Sequence, residues 1–408
     1  MTNGTSEFEV VIVGGGAAGI ATAASLHKRE PSLRIAIVEP SDKHYYQPGW
    51  TMVGGGIFQA KQTERDMASV MPDYVSWIRQ AATAFEPDKN AVVLADGSRI
   101  KYIFLVVAAG LKLDWDGVEG LSDTLGRNGV TSNYRYDLAP YTWELVQSLR
   151  SGRALFTQPL MPIKCAGAPQ KAMYLSCSEW ERRGVLSDID VHFHNAGGVL
   201  FGVADYVPAL MEYVGRYGIS LDLNERLTAV DGSAKTATFA TEAGSKTVDF
   251  DMLHVCPPQT APDFVKSSPL AGEGGWIDVD QQTLRHTQFD NVFGVGDCTN
   301  TPNAKTAAAV RKQAPIVASN LIAAILDKPM PSYYDGYGSC PLTVERGKIV
   351  LAEFGYGGKL LPSFPDWALD GTKPTRRAWV LKADILPKLY WEGMLKGREW
   401  LVKPGKLG

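Results

Sequence analysis

The chain is poor in cysteine: five occur in 408 residues, and none precedes Cys165. So few thiols over such a length exclude a disulfide framework and point to a reducing compartment, where any bridge is catalytic rather than structural. Charge of either sign is also not in excess. Lys and Arg number 41 against 44 Asp and Glu, a net −3, which gives no basis for a nucleic-acid partner. No apolar run reaches the roughly 18 residues that a spanning helix needs. The opening "MTNGTSEF" carries neither a secretory apolar core nor an Arg-rich transit pattern, so no leader is expected and membrane contact, where present, is peripheral. What the chain does have is a globular composition, 45% hydrophobic and 21% charged, at a length that calls for more than one core.

"FEVVIVGGGAAGIATAASLHK" reads as a buried parallel strand, a tight glycine turn and a helix. Gly14, Gly16 and Gly19 form GxGxxG, with Gly15 inside the turn. The first glycine allows the turn, the second admits a pyrophosphate to the backbone, and the third packs helix on strand. Glu39 ends the next strand, "RIAIVEP", and is placed for ribose hydroxyls. "VFGVGDCTN" sets Gly296 and Asp297 at the end of a late strand, the position of the Gly-Asp pair in flavoproteins of the glutathione-reductase type, and Gly110 in "VVAAGL" matches a turn of the same group. Three markers in this order call for FAD.

A second α/β unit begins near Arg153, with a helix from about Ala168 to Gly184. NADH-using proteins of this architecture carry a second glycine motif after its first strand and an acid after its second. Here "PLMPIKCAGAPQK" and "HFHNAGG" stand in those places, so nicotinamide binding is not expected and electrons must enter from another donor. Cys165 lies where that donor would sit. Lys164 and the following helix start are the groups expected to favour its thiolate. Cys340, in the glycine-rich "YDGYGSCPL", is the second redox candidate, while Cys177, Cys256 and Cys298 read as packing residues. His192 and His194 share a strand face with no carboxylate spaced to complete a metal site, so no metal is assigned. Lys305, at the start of an Ala-rich helix, faces the flavin or is a solvated first-turn lysine; the sequence leaves both open.

"PIKCAGAPQKAMYL", "HYYQPGWTMVGGG", "NVFGVGDCTNTPNAKTAAAV", "YDGYGSCPL" and "LKADILPKLYW" together resemble the sulfide:quinone oxidoreductases, in the two-cysteine, mitochondrial-like branch, over about Val10 to Trp400. The resemblance implies an α/β fold of two Rossmann-like dinucleotide-binding domains of the glutathione-reductase type, with a C-terminal amphipathic membrane-associating region. The expected division is 7–125 and 285–330 for FAD, 126–284 for the Cys165 domain, and 331–408 for Cys340, the quinone site and membrane-surface helices. It further implies redox roles for Cys165 and Cys340, flavin contacts at the Gly14–Gly16 turn, Glu39, Gln47, Ala82 and Asp297, and quinone contacts at Phe354 and Lys382. Hydrogen sulfide is the implied donor and a membrane quinone, ubiquinone above all, the acceptor. Glutathione, sulfite or another sulfide would remove the sulfur. A homodimer and the cytoplasmic face of a bacterial inner membrane complete the expectations. The readings weighed against this one are a type II NADH:quinone oxidoreductase, the flavoprotein of a cytochrome-linked sulfide dehydrogenase, and a non-enzymatic flavin redox sensor.

The tail from Arg376 to Lys406 has eight basic and three acidic residues, with Ile385, Leu386, Leu389, Tyr390, Met394 and Leu395 at helical spacing. That pattern suits an interfacial helix. A helix docked on the protein's own core is the rival.

Overall fold

The computed structural model of the chain describes residues 7–400, 402, 405 and 406; Lys403 of the basic tail lies outside them. β1 (Glu7–Val13) holds the run Val10–Val13, almost wholly inaccessible, as expected for a strand covered on both faces. The glycine turn passes it to α1 (Ala17–Arg29), and β2 (Ile35–Val38) returns parallel to β1. β3 (Val75–Ile78) extends the sheet beyond β2. β4 (Ala82–Glu86) and β5 (Ala91–Leu94) form the antiparallel insert. Gly97 takes the left-handed conformation the turn after β5 requires, and β6 (Arg99–Val107) runs back beside β1. The order is β3-β2-β1-β6-β5-β4.

The second unit is a five-stranded parallel sheet. Its strands are β7 (Val130–Thr131), β8 (Gly152–Gln158), β9 (Ile189–Asn195), β10 (Ser220–Leu223) and, after an antiparallel ribbon over residues 226–249, β11 (Met252–His254). They lie in the order β7-β11-β8-β9-β10. α2 (Ala168–Arg182) follows β8 and ends before Gly184, whose positive φ closes it.

β12 (Gln259–Thr260) pairs with Lys112–Leu113, so the chain enters and leaves the second unit through one two-stranded connector. Ala261, Val265, Leu270 and Ile277 already pack into the first core, ahead of residue 285. β13 (Val292–Gly294) lies beside β6, and α3 (Ala307–Ile325) packs on α1. A hairpin of β14 (Gly338–Glu345) and β15 (Lys348–Phe354) then lies along α2.

The tail is not one amphipathic helix. α4 (Arg376–Val380) continues into π-helical turns at Leu381–Ile385 and Leu389–Gly393 and a last 3-10 turn at Met394–Lys396. The expected apolar face is divided. Tyr390, Trp391, Met394 and Leu395 join the first core, where the Tyr390 hydroxyl meets His44 Nε2 at 2.7 Å, whereas Val380 and Ile385 stay exposed, as does Trp367 ahead of them. The docked arrangement therefore holds for the second half of the tail. The wider turns rotate later side chains away from the face that 3.6-residue spacing assigns them.

Candidate active site

The ends of β1, β2, β6 and β13 converge on the first crevice. Gly14 sits at φ +108°, and a Cβ there would stand 2.4 Å from the Ala108 carbonyl oxygen, so only glycine lets the two chains approach. The Gly15 N–H donates to Glu39 Oε2 at 2.8 Å, which fixes the acid at the lip of β2. Gly16 is exposed with nothing around it, and α1 begins with no side-chain cap and no acid in its first turn. Its first N–H groups are therefore free to take a pyrophosphate. Gly296 (φ +79°) and Gly110 (φ +68°) shape the opposite wall, where burial raises the Asp297 carboxyl above its ordinary range. A pyrophosphate cradle, an acid placed for ribose and a half-buried Asp beside a parallel-sheet edge fit FAD.

Lys305 resolves its two readings by neither being solvated nor standing free. It is 5% exposed, and its ammonium donates to the carbonyls of Asp297 (2.9 Å) and Thr299 (2.8 Å) while lying 4.5 Å from the Trp276 ring centroid. It staples the Gly296–Thr299 turn. Ala82 opens β4, half-buried against the first core. Gln47 Oε1 accepts from Lys164 Nζ at 2.6 Å, which ties the first unit to the Cys165 turn.

That turn joins β8 to α2. Cys165 has φ +49°, unusual for a residue with a side chain. Its N–H donates to the Lys305 carbonyl at 2.8 Å, and its carbonyl accepts from Ala168 N–H at 2.7 Å. The half-buried Sγ receives Lys171 Nζ at 3.0 Å, and Cys165 packs against the apolar cluster that holds the buried Cys340 of β14, which reaches the turn so closely that a Cβ at Gly167 would stand 3.7 Å from Cys340 Cβ. The two cysteines, far apart in sequence, are thus one pair. The Cys340 hydrogen bond and then the Lys171 ammonium hold the Cys165 thiol well below its usual range; the same bond, with burial, holds Cys340 well above it.

The cation at the sulfur is Lys171, not Lys164. Lys171 lies one turn into α2, six residues after Cys165, and is 2% exposed. Sequence adjacency singled out Lys164, but the left-handed kink at Cys165 turns that side chain toward Gln47, between the Trp50 and Tyr134 rings, where burial lowers its pKa to about 8. A third lysine, Lys382 in the first π-helical turn, is 3% exposed and donates to the Pro48 carbonyl at 2.9 Å. Burial, then repulsion from Lys171, lowers it to about 7, and it lies within electrostatic reach of both sulfurs. Phe354 closes β15 edge-on to Phe201, with ring centroids 5.9 Å apart.

Leu342 of the hairpin packs so closely on the α2 entry that a Cβ at Gly167 would stand 2.3 Å from Leu342 Cδ2. The hairpin thus covers the helix N-terminus that a nicotinamide pyrophosphate would need. His192 and His194, with Asp222 of β10, bring ligand atoms within 4.8 Å of one another, so the neighbouring strand does supply the carboxylate that sequence spacing did not reveal. Lys246 Nζ stands 3.3 Å from Asp222 Oδ1 and 3.0 Å from Glu225 Oε1, and His194 Nδ1 meets Glu225 at 2.8 Å. Lys246 thus brings one positive charge to these two carboxylates and occupies part of their coordinating capacity. Cys177 is wholly buried inside α2, and Cys298 wholly buried behind the Gly296 turn, where burial pushes it up to about 11.

A dinucleotide cradle facing a redox-type thiol pair defines a two-domain flavin oxidoreductase, and residues 8–156 match the family model described as pyridine nucleotide-disulphide oxidoreductase. The chain is 44% identical over 398 residues to the mitochondrial sulfide:quinone oxidoreductase of Dictyostelium discoideum, covering 97% of this chain and 87% of that protein. It is 39% identical to the Mus musculus protein of the same name, covering 96% and 87%. The crystal structure of the sulfide:quinone oxidoreductase from Aquifex aeolicus superposes with a TM-score of 0.79 at 20% identity, over 98% of this chain and 96% of that one, a likeness of fold. The chain belongs to the sulfide:quinone oxidoreductase family and is an FAD-dependent oxidoreductase.

Proposed function

We propose that the protein oxidises hydrogen sulfide through Cys165 and Cys340 and delivers the electrons to a membrane quinone. The observation that carries this reading is the placement of the two thiols in one cluster at the β8–α2 turn, with the Lys171 ammonium on the Cys165 sulfur and helping to lower its pKa. In the oxidised pair, HS⁻ attacks the Cys340 sulfur. The bond between the cysteine sulfurs breaks, Cys340 becomes a persulfide, and Cys165 leaves as the thiolate that Lys171 neutralises. A nucleophile such as glutathione, sulfite or a second sulfide then takes the outer sulfur, and the bridge re-forms as two electrons leave the pair. Bound FAD supplies the two-electron acceptor that relays them to quinone. Gly14–Gly16 with α1 hold its pyrophosphate, Glu39 its ribose, and Gln47, Ala82, Gly110, Gly296 and Asp297 line the remainder.

For the quinone we propose Phe354 as a ring-stacking wall and Lys382 as the carbonyl partner, able to give up a proton because its pKa is near neutral. Ubiquinone is the favoured acceptor. Among the described residues no helix is long and apolar enough to cross a membrane. We infer instead a surface contact through Trp367, Val380 and Ile385, with Arg376 and Arg377 exposed beside them. The membrane is mitochondrial in the names of the relatives and bacterial inner membrane, cytoplasmic face, in the sequence reading; a quinone-bearing bilayer satisfies both. A homodimer remains part of the proposal. The test is Cys165→Ser and Cys340→Ser in anaerobic mixing with sulfide: both should bind FAD yet leave it oxidised, and rapid bleaching in either would overturn the assignment.

A further inference from the structure

Cys165 is the one cysteine at a positive φ, and the groups that keep it there are not those that touch its sulfur. Gln259, 7% exposed on the connector strand β12, accepts from the Lys164 N–H through Oε1 at 2.7 Å. Its Nε2 donates to Cys256 Sγ at 3.7 Å, which orients the amide with its oxygen toward the turn. From the other side the Tyr134 hydroxyl, 3% exposed as a residue, donates to the Lys164 carbonyl at 3.2 Å and lies 3.5 Å from the Cys165 carbonyl. Tyr134 and Cys256 pack in one small cluster with Ile163 and Ala168, the residues on either side of the turn. Lys164, the residue entering Cys165, is therefore held at both its N–H and its carbonyl by side chains from outside the β8–α2 unit, while the Cys165 N–H itself donates to the Lys305 carbonyl. A side-chain-bearing residue relaxes from the left-handed region unless its surroundings over-determine it.

We propose that Gln259 and Tyr134, backed by Cys256, are positioning residues that clamp the Lys164 backbone on both sides and thereby hold Cys165 Sγ beside Lys171 and Cys340. Cys256 then has a use that its inertness allows: burial pushes its thiol up to about 12, so it stays a neutral sulfur that anchors an amide rather than competing in exchange. Gln259 sits on the strand joining the two Rossmann units, paired with Lys112–Leu113, so the reactivity of the turn is tied to correct seating of one unit on the other.

The inference rests on the redox role proposed for Cys165, and its test reads the turn rather than turnover. In the full-length, FAD-loaded protein, reduced under argon, the rate of Cys165 alkylation by iodoacetamide is followed against pH by peptide mass spectrometry. Gln259→Leu removes the acceptor at similar volume, and Tyr134→Phe removes only the hydroxyl. Gln259→Leu and Tyr134→Phe are expected to move the thiolate midpoint of the alkylation profile up, slowing alkylation by up to about tenfold for each unit moved at pH values below the midpoint. Tyr134→Phe leaves the ring packing in place, so a midpoint moved there is not a general packing defect. Wild-type alkylation profiles in the folded Leu and Phe variants would overturn the clamp. Should Gln259→Leu not fold, Tyr134→Phe decides alone by the same criterion. Sulfide oxidation persisting in Cys165→Ser would remove the redox role, with the alkylation profiles still judging the clamp.

Discussion

Replacing Lys171 by methionine removes the ammonium 3.0 Å from Cys165 Sγ and leaves a side chain of similar length in a 2% exposed site. At that distance the bare attraction between unit charges is about 5 kcal/mol at an effective dielectric of about 20. Part of it offsets the cost of burying the lysine, so the net is set by a hydrogen bond to a charged group, about 1.5–3 kcal/mol. That corresponds to a rise of roughly 1–2 units in the Cys165 thiol midpoint. The Cys340 hydrogen bond remains, so the midpoint should not return to the free-thiol value. Flavin reduction by sulfide depends on Cys165 leaving as thiolate, so the acidic limb of its pH profile should move up by roughly 1–2 units, and at pH values below the midpoint the rate should fall by up to about ten- to a hundredfold. Stopped-flow absorbance of the flavin under argon, repeated across pH, gives both quantities. Lys171→Arg, which keeps a charge but not the ammonium geometry, should recover part of the rate. A folded Lys171→Met protein with an unmoved profile would refute the assignment of Lys171 as the thiolate's counter-charge.

Cys177→Ser and Cys298→Ser should retain sulfide turnover, since both thiols are buried away from the pair; loss of activity in either with FAD retained would contradict the pairing. Gly14→Ala forces a Cβ to within 2.4 Å of a carbonyl oxygen in a left-handed conformation, so the purified variant should lack flavin absorbance and unfold earlier; normal FAD content would count against the cradle. Lys382 carries a lowered pKa, so the unfolded chain binds more protons between about pH 7 and pH 10 and the burial penalty is full below that window and relieved through it. Lys382→Met should therefore be more stable than the parent at pH 6, by roughly 3–5 kcal/mol before loss of the Pro48 bond, with the gap closing toward pH 10 in urea titrations. NADH should not bleach the flavin at a useful rate, as the hairpin covers the α2 entry; rapid bleaching would restore the NADH dehydrogenase reading. Trp367→Gln with Ile385→Gln should weaken binding to liposomes while leaving sulfide reduction of FAD intact, a cleaner test than truncation because Tyr390 to Leu395 belong to the first core.

The FAD half of the site is local in sequence, which is why it was readable. A strand, a glycine turn and a helix within two dozen residues leave one geometry open, and Gly14, Gly16 and Glu39 stand where that geometry requires. Cys340 reaches the neighbourhood of Cys165 because a hairpin folds back along α2, a placement that sequence spacing does not carry. Lys171 escaped notice because a positive φ at Cys165 turns the neighbouring Lys164 away and brings a residue one helical turn later into reach; a non-glycine left-handed residue leaves no mark in composition or periodicity. The tail misled through its own regularity. Residues at 3.6-residue spacing share a face only while the helix is α, and the two π-helical turns send Tyr390 and Trp391 inward. Asp222 and Glu225 reach the histidine strand from its neighbour, a contact set by sheet order.

The central claim is that sulfide, acting through the Cys165–Cys340 pair, is the electron donor and quinone the acceptor. Anaerobic titration of the FAD-loaded protein with sulfide, followed by a short-chain ubiquinone analogue, tests it in one cuvette. The account expects the flavin's visible absorbance to bleach on sulfide and to return on quinone, with neither change in Cys165→Ser. Flavin that stays oxidised under sulfide in the intact protein, or that bleaches equally well without Cys165, would contradict it.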